Sequence, residues 1–212
     1  MIKVKKCDDA PQSLTTTTTY DGEDVKKQLL KDQNEKCYLC ERFLSTDFEI
    51  EHLHSQHNFP LEAQDWNNLF LSCGYCNKKK LSNNDDILNP AQHNIEQEIK
   101  QEIDFGNKRA KFSATNSESD VERTITLLER IYNGKLKCRN VKEERFFEET
   151  LSAVDSFSKL VMDYLNNPSE ENKNAVHSSL SIKKEALGFK YWIIKSNPLL
   201  ERVFGSDIIW NK

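Results

Sequence analysis

Four cysteines in two short pairs are the residues of this chain most obviously able to do chemistry: Cys37-x2-Cys40 and Cys73-x2-Cys76, separated by 32 residues. A CxxC turn places two sulfurs on one side, and two such turns complete the tetrahedron that Zn²⁺ favours, with bonds of about 2.3 Å. Four sulfurs leave no open position for substrate, so the expected Zn²⁺ is structural, holding together a region too polar to fold by burial alone. Between and just after the pairs lie Glu51-His52, Asn68, Asn77, Lys78-Lys79-Lys80, and the loop histidines His54 and His57. An isolated Glu-His pair is ordinarily a solvated strand end, but one framed by two metal knuckles and followed by Cys76-Asn77 points to catalysis. Cys7 and Cys138 stand apart and read as reduced, small side chains.

The elements that must position these groups follow from the apolar pattern. Phe48 to Leu53 and Leu69 to Cys73 predict two strands flanking a polar loop, with Trp66 as a packing anchor beneath it and the lysine run on a following helix. Upstream, Pro11 and the run Thr15 to Thr19 predict an extended arm over 1–20. A short helix is expected over 22–34, with Asp21 as its cap and Val25, Leu29 and Leu30 on its apolar face. Alternation on both sides of Gly106-Asn107 predicts a hairpin over 98–114. Beyond it, Val121, Ile125, Leu128 and Ile131 form one helical stripe ending at Asn133-Gly134. Phe147, Leu151, Val154, Val161 and Leu165 form a longer stripe ending before Pro168, and Ala175 to Leu187 forms a weaker helical segment. The chain thus divides into an arm and short helix (1–35), a metal-bearing core (36–90) and a hairpin with a helical C-terminal region (91–212).

Composition narrows the function classes. The 212 residues carry 30 Lys+Arg against 34 Asp+Glu, a net charge of −4, and 37% are hydrophobic. Basic and acidic residues number five and five over 1–30, six and eight over 31–84, and 19 and 21 over the remainder. A generic nucleic-acid binder usually has a pI above about 9, so contact with a polyanion here must be local, metal-assisted or supplied by a partner. No apolar run approaches the roughly 18 residues that span a bilayer, and Met1 to Lys6 lacks a secretory apolar stretch. A cytoplasmic location is expected.

The order of Cys-x2-Cys, Glu51-His52, Asn68 before an apolar strand, and Cys73-x2-Cys76-Asn77 resembles the HNH endonuclease family over residues 37–80. That resemblance implies an α+β fold with a zinc-stabilised ββα-metal (His-Me finger) core. It implies that His52 is the general base and that Glu51 and Asn77 hold one catalytic Mg²⁺ or Mn²⁺. Asn68 would brace the loop and orient the His52 backbone. Lys78, Lys79, Lys80, His54 and His57 would contact the nucleic-acid substrate. The chemistry agrees: an imidazole with an ordinary pKa near 6.5 accepts a proton from water at neutral pH, and carboxylate and amide oxygens suit hard dications. Glu51 replaces the family's common Asp, lengthening the carboxylate's reach by one methylene. Neighbouring strand residues point to opposite faces, so Glu51 and His52 share a site only where the strand ends or bends.

The flanks narrow the resemblance. Ile2 to Lys6, Ala10-Pro11, Phe59-Pro60, Asp65 to Leu69, Ile87 to Pro90, Phe105-Gly106 and Thr124-Ile125 resemble the PtuB-like HNH subunit of Septu-type and retron-associated anti-phage systems. What this implies is a PtuA-like ABC-type ATPase as partner, and in retron systems a reverse transcriptase with its RNA–DNA product. DNA is the expected substrate. An RNA-cutting toxin using the same site, and a non-catalytic zinc-binding adaptor, stay open at this point.

Overall fold

The computed structural model describes residues 1–16, 19–82, 84–116, 118–134 and 138–210. The arm does not stay extended throughout: Gln12 accepts the Thr15 and Thr16 amides and closes one turn, α1 (Ser13–Thr16). Thr17 and Thr18 lie outside the described residues. Before that turn the arm lies on the core, with Met1 and Val4 buried and the Val4 amide donating to the Pro90 carbonyl at 2.8 Å. In α2 (Glu23–Asp32) Val25 and Leu29 face inward as expected, but Gly22 occupies the N-cap position, not Asp21.

β1 (Phe48–His52) and β2 (Leu69–Cys73) pair antiparallel, with Glu51 opposite Phe70 and His52 opposite Leu69. Their connection contains two 3-10 turns, Pro60–Glu62 and Trp66–Asn68, the second capped by the Asp65 side chain. Trp66 is buried there, its indole N–H donating to the Cys7 carbonyl at 3.0 Å. α3 (Gly74–Lys80) leaves β2 without a loop and packs back on both strands. A short α4 (Ile95–Glu98) leads into the expected hairpin of β3 (Ile99–Asp104) and β4 (Arg109–Ala114), whose Ala110 and Phe112 point into the core.

Five further helices follow among the described residues. α5 (Ser119–Asn133) covers β4 and stops at Gly134, whose φ of +77° suits glycine. α6 (Val141–Asn166) begins with a capping box of Asn140 and Glu143. Its buried face differs in part from expectation: Phe146, Phe157 and Tyr164 are buried, whereas Leu165 is exposed. The expected helix over Ala175 to Leu187 is not continuous: it holds the end of α7 (Glu170–Ser179), a non-helical connection over 180–186 and only the first residue of α8 (Leu187–Lys195). α7 starts earlier because Ser169 caps it, and α8 carries Tyr191 to Ile194. α9 (Pro198–Phe204) is capped by the Asn197 side chain.

One hydrophobic cluster joins the arm, α2, both strand pairs, α5 and the first half of α6, while a second gathers the end of α6 with α7, α8 and α9. Polar links cross between them. The buried carboxylate of Glu41, next to the first cysteine pair, accepts the Leu187 and Gly188 amides at 2.7 and 3.1 Å, and within the first cluster Tyr132 donates to the Cys40 carbonyl at 3.2 Å. At the free edge of β4, the buried Asn133 side chain both accepts the Ala110 amide (3.0 Å) and donates to its carbonyl (2.8 Å). Replacing Asn133 by Ala removes both bonds and leaves buried backbone groups unpaired. The expected loss is about 2–4 kcal/mol of stability, measured by denaturant unfolding.

Candidate active site

The four cysteines converge. Their sulfurs all lie within 4.8 Å of one another, and the Cys40 and Cys73 sulfurs are 3.9 Å apart. A ZnS₄ tetrahedron with bonds near 2.3 Å has edges of about 3.8 Å, so both spacing and donor type suit zinc. Cys37 and Cys40 come from the tight turn after α2, Cys73 from the end of β2 and Cys76 from the first turn of α3. Hydrogen bonds from the other three thiols hold the Cys73 thiol far below its usual range, while burial pushes Cys40 and Cys76 up.

Each knuckle delivers one group to Glu51. Tyr38, buried inside the first cysteine pair, donates its hydroxyl to Glu51 Oε2. Lys80, at the end of the helix that the second pair opens, places Nζ 3.1 Å from Glu51 Oε1. The same ammonium donates to the His52 carbonyl at 2.9 Å and lies 3.7 Å from Asp85. Lys80 is only 1% exposed, which corrects its expected place among substrate-contacting lysines: it is the internal counter-ion of Glu51. Burial pushes the Glu51 carboxyl above the usual carboxylate range, against the opposing pull of Lys80 and Tyr38.

His52 sits at the last position of β1, where the strand ends. Its Nε2 lies 3.0 Å from the Ala63 carbonyl, which can only accept, so Nε2 carries the proton. With that tautomer Nδ1 keeps a lone pair; the Gln56 amide nitrogen lies beside the ring, 3.2 Å from Nε2 and 3.5 Å from Nδ1, and the Tyr20 ring is edge-on to the imidazole at 4.5 Å. Burial lowers the His52 pKa below 6.5, the Lys80 charge adds to this, and the bond to Ala63 opposes it.

Glu49, Glu51, His52, Asn77, Lys80 and Tyr20 line one open cleft of about 330 Å³. Asn77 Nδ2 donates to Glu49, two residues before Glu51 on the same face of β1, and not to Glu51 itself. Glu49 is thus a site residue missing from the sequence expectation, although the i, i+2 spacing of Glu49 and Glu51 was the available signal. The oxygens of Glu49 and Asn77 suit a hard divalent ion, whereas both Glu51 oxygens are already engaged, by Tyr38 and Lys80. Asn68 does brace the loop, but through His54 and Glu62. Its Oδ1 accepts the His54 amide at 2.7 Å, and its Nδ2 donates to the His54 and Glu62 carbonyls at 3.0 and 3.1 Å. The His52 carbonyl is held by Lys80 instead.

The remaining predicted contacts separate. His54 pairs with Glu62 at 2.7 Å and packs on Phe59, His57 is exposed on the loop, and neither lines the cleft. Lys79 bonds to Glu143 of α6, and Lys78 is exposed on the far side of α3.

Lys80→Met would leave the Glu51 carboxylate buried beside the Tyr38 hydroxyl without its counter-charge. The expected cost is about 3–5 kcal/mol, read by chemical denaturation of the zinc-loaded protein, with Lys80→Met/Glu51→Gln regaining part of it.

No curated protein and no solved structure matches the chain. Residues 37–83, which hold both cysteine pairs, Glu51, His52 and Asn77, match the family model HNH, described as HNH endonuclease.

Proposed function

We propose that the chain is a metal-dependent endonuclease that hydrolyses phosphodiester bonds, with DNA as its substrate and His52 as general base. The observation that carries this reading is the His52 ring: its Nε2–H is committed to the Ala63 carbonyl, and Nδ1 is left able to take a proton within the acidic cleft. In hydrolysis, Nδ1 accepts a proton from water as the water oxygen bonds to phosphorus. The bond from phosphorus to the leaving oxygen breaks with its electron pair, and that oxygen is protonated from solvent. Glu49 and Asn77 would hold Mg²⁺ or Mn²⁺, which when bound neutralises charge developing on the phosphate and leaving oxygens. Lys80 supports the base through the His52 carbonyl.

Two outcomes test this reading. His52→Ala, shown to be folded and zinc-loaded, should cut plasmid DNA with Mg²⁺ or Mn²⁺ about 10²–10⁴-fold more slowly than wild type, and cutting at the wild-type rate sinks the assignment. Cellular RNA assayed alongside distinguishes an RNA-cutting toxin. The second outcome concerns pH. The neutral imidazole is the active form and its pKa is lowered, so activity should persist below pH 6.5 and fall only on further acidification. A kcat/KM profile with its acid midpoint above 6.5 contradicts the role.

We further propose that the nuclease acts in anti-phage defence with a PtuA-like ABC-type ATPase. Support comes from the motifs flanking the domain and from the acidic balance of the chain, which leaves little positive surface for gripping a long substrate alone. Co-elution of the purified chain with such an ATPase is the expected result, and separate elution argues against the pairing.

A further inference from the structure

Behind α3, on the side away from the cleft, lies a second cavity of about 440 Å³ enclosed by α3, the last turn of α5 and the first turn of α6. Four cationic side chains, Lys78, Lys79, Arg130 and Lys142, face two carboxylates there, Asp47 and Glu143. One acid is already engaged. Glu143 bonds to Lys79, and its Oε2 accepts the Asn140 amide at 2.9 Å within the α6 capping box. Arg130 is half-buried, and its Nε is buried without a hydrogen-bond partner among the described residues. Being occluded, that Nε is not the ligand contact; the guanidinium lines the cavity and offers its other N–H groups to a charge-assisted bond with an anion. Lys78 and Lys142 are exposed at the rim.

In a chain of net charge −4 this local surplus of positive charge stands out. Its position matters as much as its sign. Asn77 lines the catalytic cleft and the next residue, Lys78, lines this cavity, so a backbone held in one reaches the other by crossing α3. We propose that Lys78, Arg130 and Lys142 form a docking pocket for a phosphate of the nucleic-acid backbone, away from the bond being cut, a role that rests on the nuclease reading above. Helices outside residues 37–83 thereby extend the substrate track.

The test uses full-length, zinc-loaded protein and labelled 20-base-pair duplexes of DNA and of RNA, with binding followed by anisotropy from low to moderate salt. Arg130→Gln/Lys142→Gln should weaken binding at least about fivefold and reduce the slope of log K against log salt by about 0.9, the worth of the one phosphate contact that the pocket supplies. Lys159→Gln, about 25 Å further along α6 and exposed, should bind as wild type. The affected duplex identifies whose backbone docks. Unchanged affinity and slope in the double variant overturn the pocket, as does an equal loss in Lys159→Gln. Cleavage by wild type is followed in parallel. If wild type cuts while the double variant binds normally, the pocket alone falls. If wild type binds with the full slope yet never cuts, the nuclease reading falls.

Discussion

The architecture around the cleft depends on one buried ammonium. An ion removed from water must recover most of its solvation energy from neighbouring groups, and Lys80 does so through Glu51 on β1, the His52 carbonyl at the strand's end and Asp85 beyond α3. Those partners lie on two segments, β1 and the loop after α3. Satisfying one charge therefore fixes the register of β1 against α3, and it fixes the loop that follows α3 as well. Asp85 is further engaged by the Ser55 amide and hydroxyl at 2.8 Å each, which carries the constraint back into the loop behind His52.

The thiolate cluster and the cleft form one construction for the same reason. Each cysteine pair contributes a residue to the Glu51 carboxylate: Tyr38 from inside the first pair and Lys80 from the helix opened by the second. A structural metal at the cysteines would do more than close a small polar fold. It would set the distance between the two arms that grip Glu51, and Glu51 is covalently next to His52.

Much of this was legible in the chain. Two CxxC pairs imply a metal because few other roles require that spacing, and the structure brings all four sulfurs together. The strands, the hairpin and the helix ending at Gly134 follow from periodicity and turn chemistry, which are local properties. What sequence could not convey was side-chain direction at element ends. Lys78, Lys79 and Lys80 are one run of identical residues, yet one is exposed, one bonds to α6 and one is buried. Helical rotation of about 100° per residue divides them, and only the packing of α3 decides which faces inward. Asn68 and Asn77 were singled out from the motif order, but the partners they take, His54 and Glu49, depend on loop shape and strand face. The C-terminal helices were blurred because their limits depend on single capping residues, Ser169 and Asn197, within polar stretches.

The Glu41 carboxylate gives the C-terminal region an unexpected standing. It lies one residue past the first cysteine pair and accepts two amides from the start of α8, 146 and 147 residues away. A helix near the end of a chain ordinarily frays on its own, with an opening free energy set by its own few contacts. Here α8 can open at its first turn only by stripping the acceptor from a residue tethered to the knuckle. The two belong to one cooperative unit, and slow amide exchange in α8 becomes a distant readout of whether the cysteine cluster is intact.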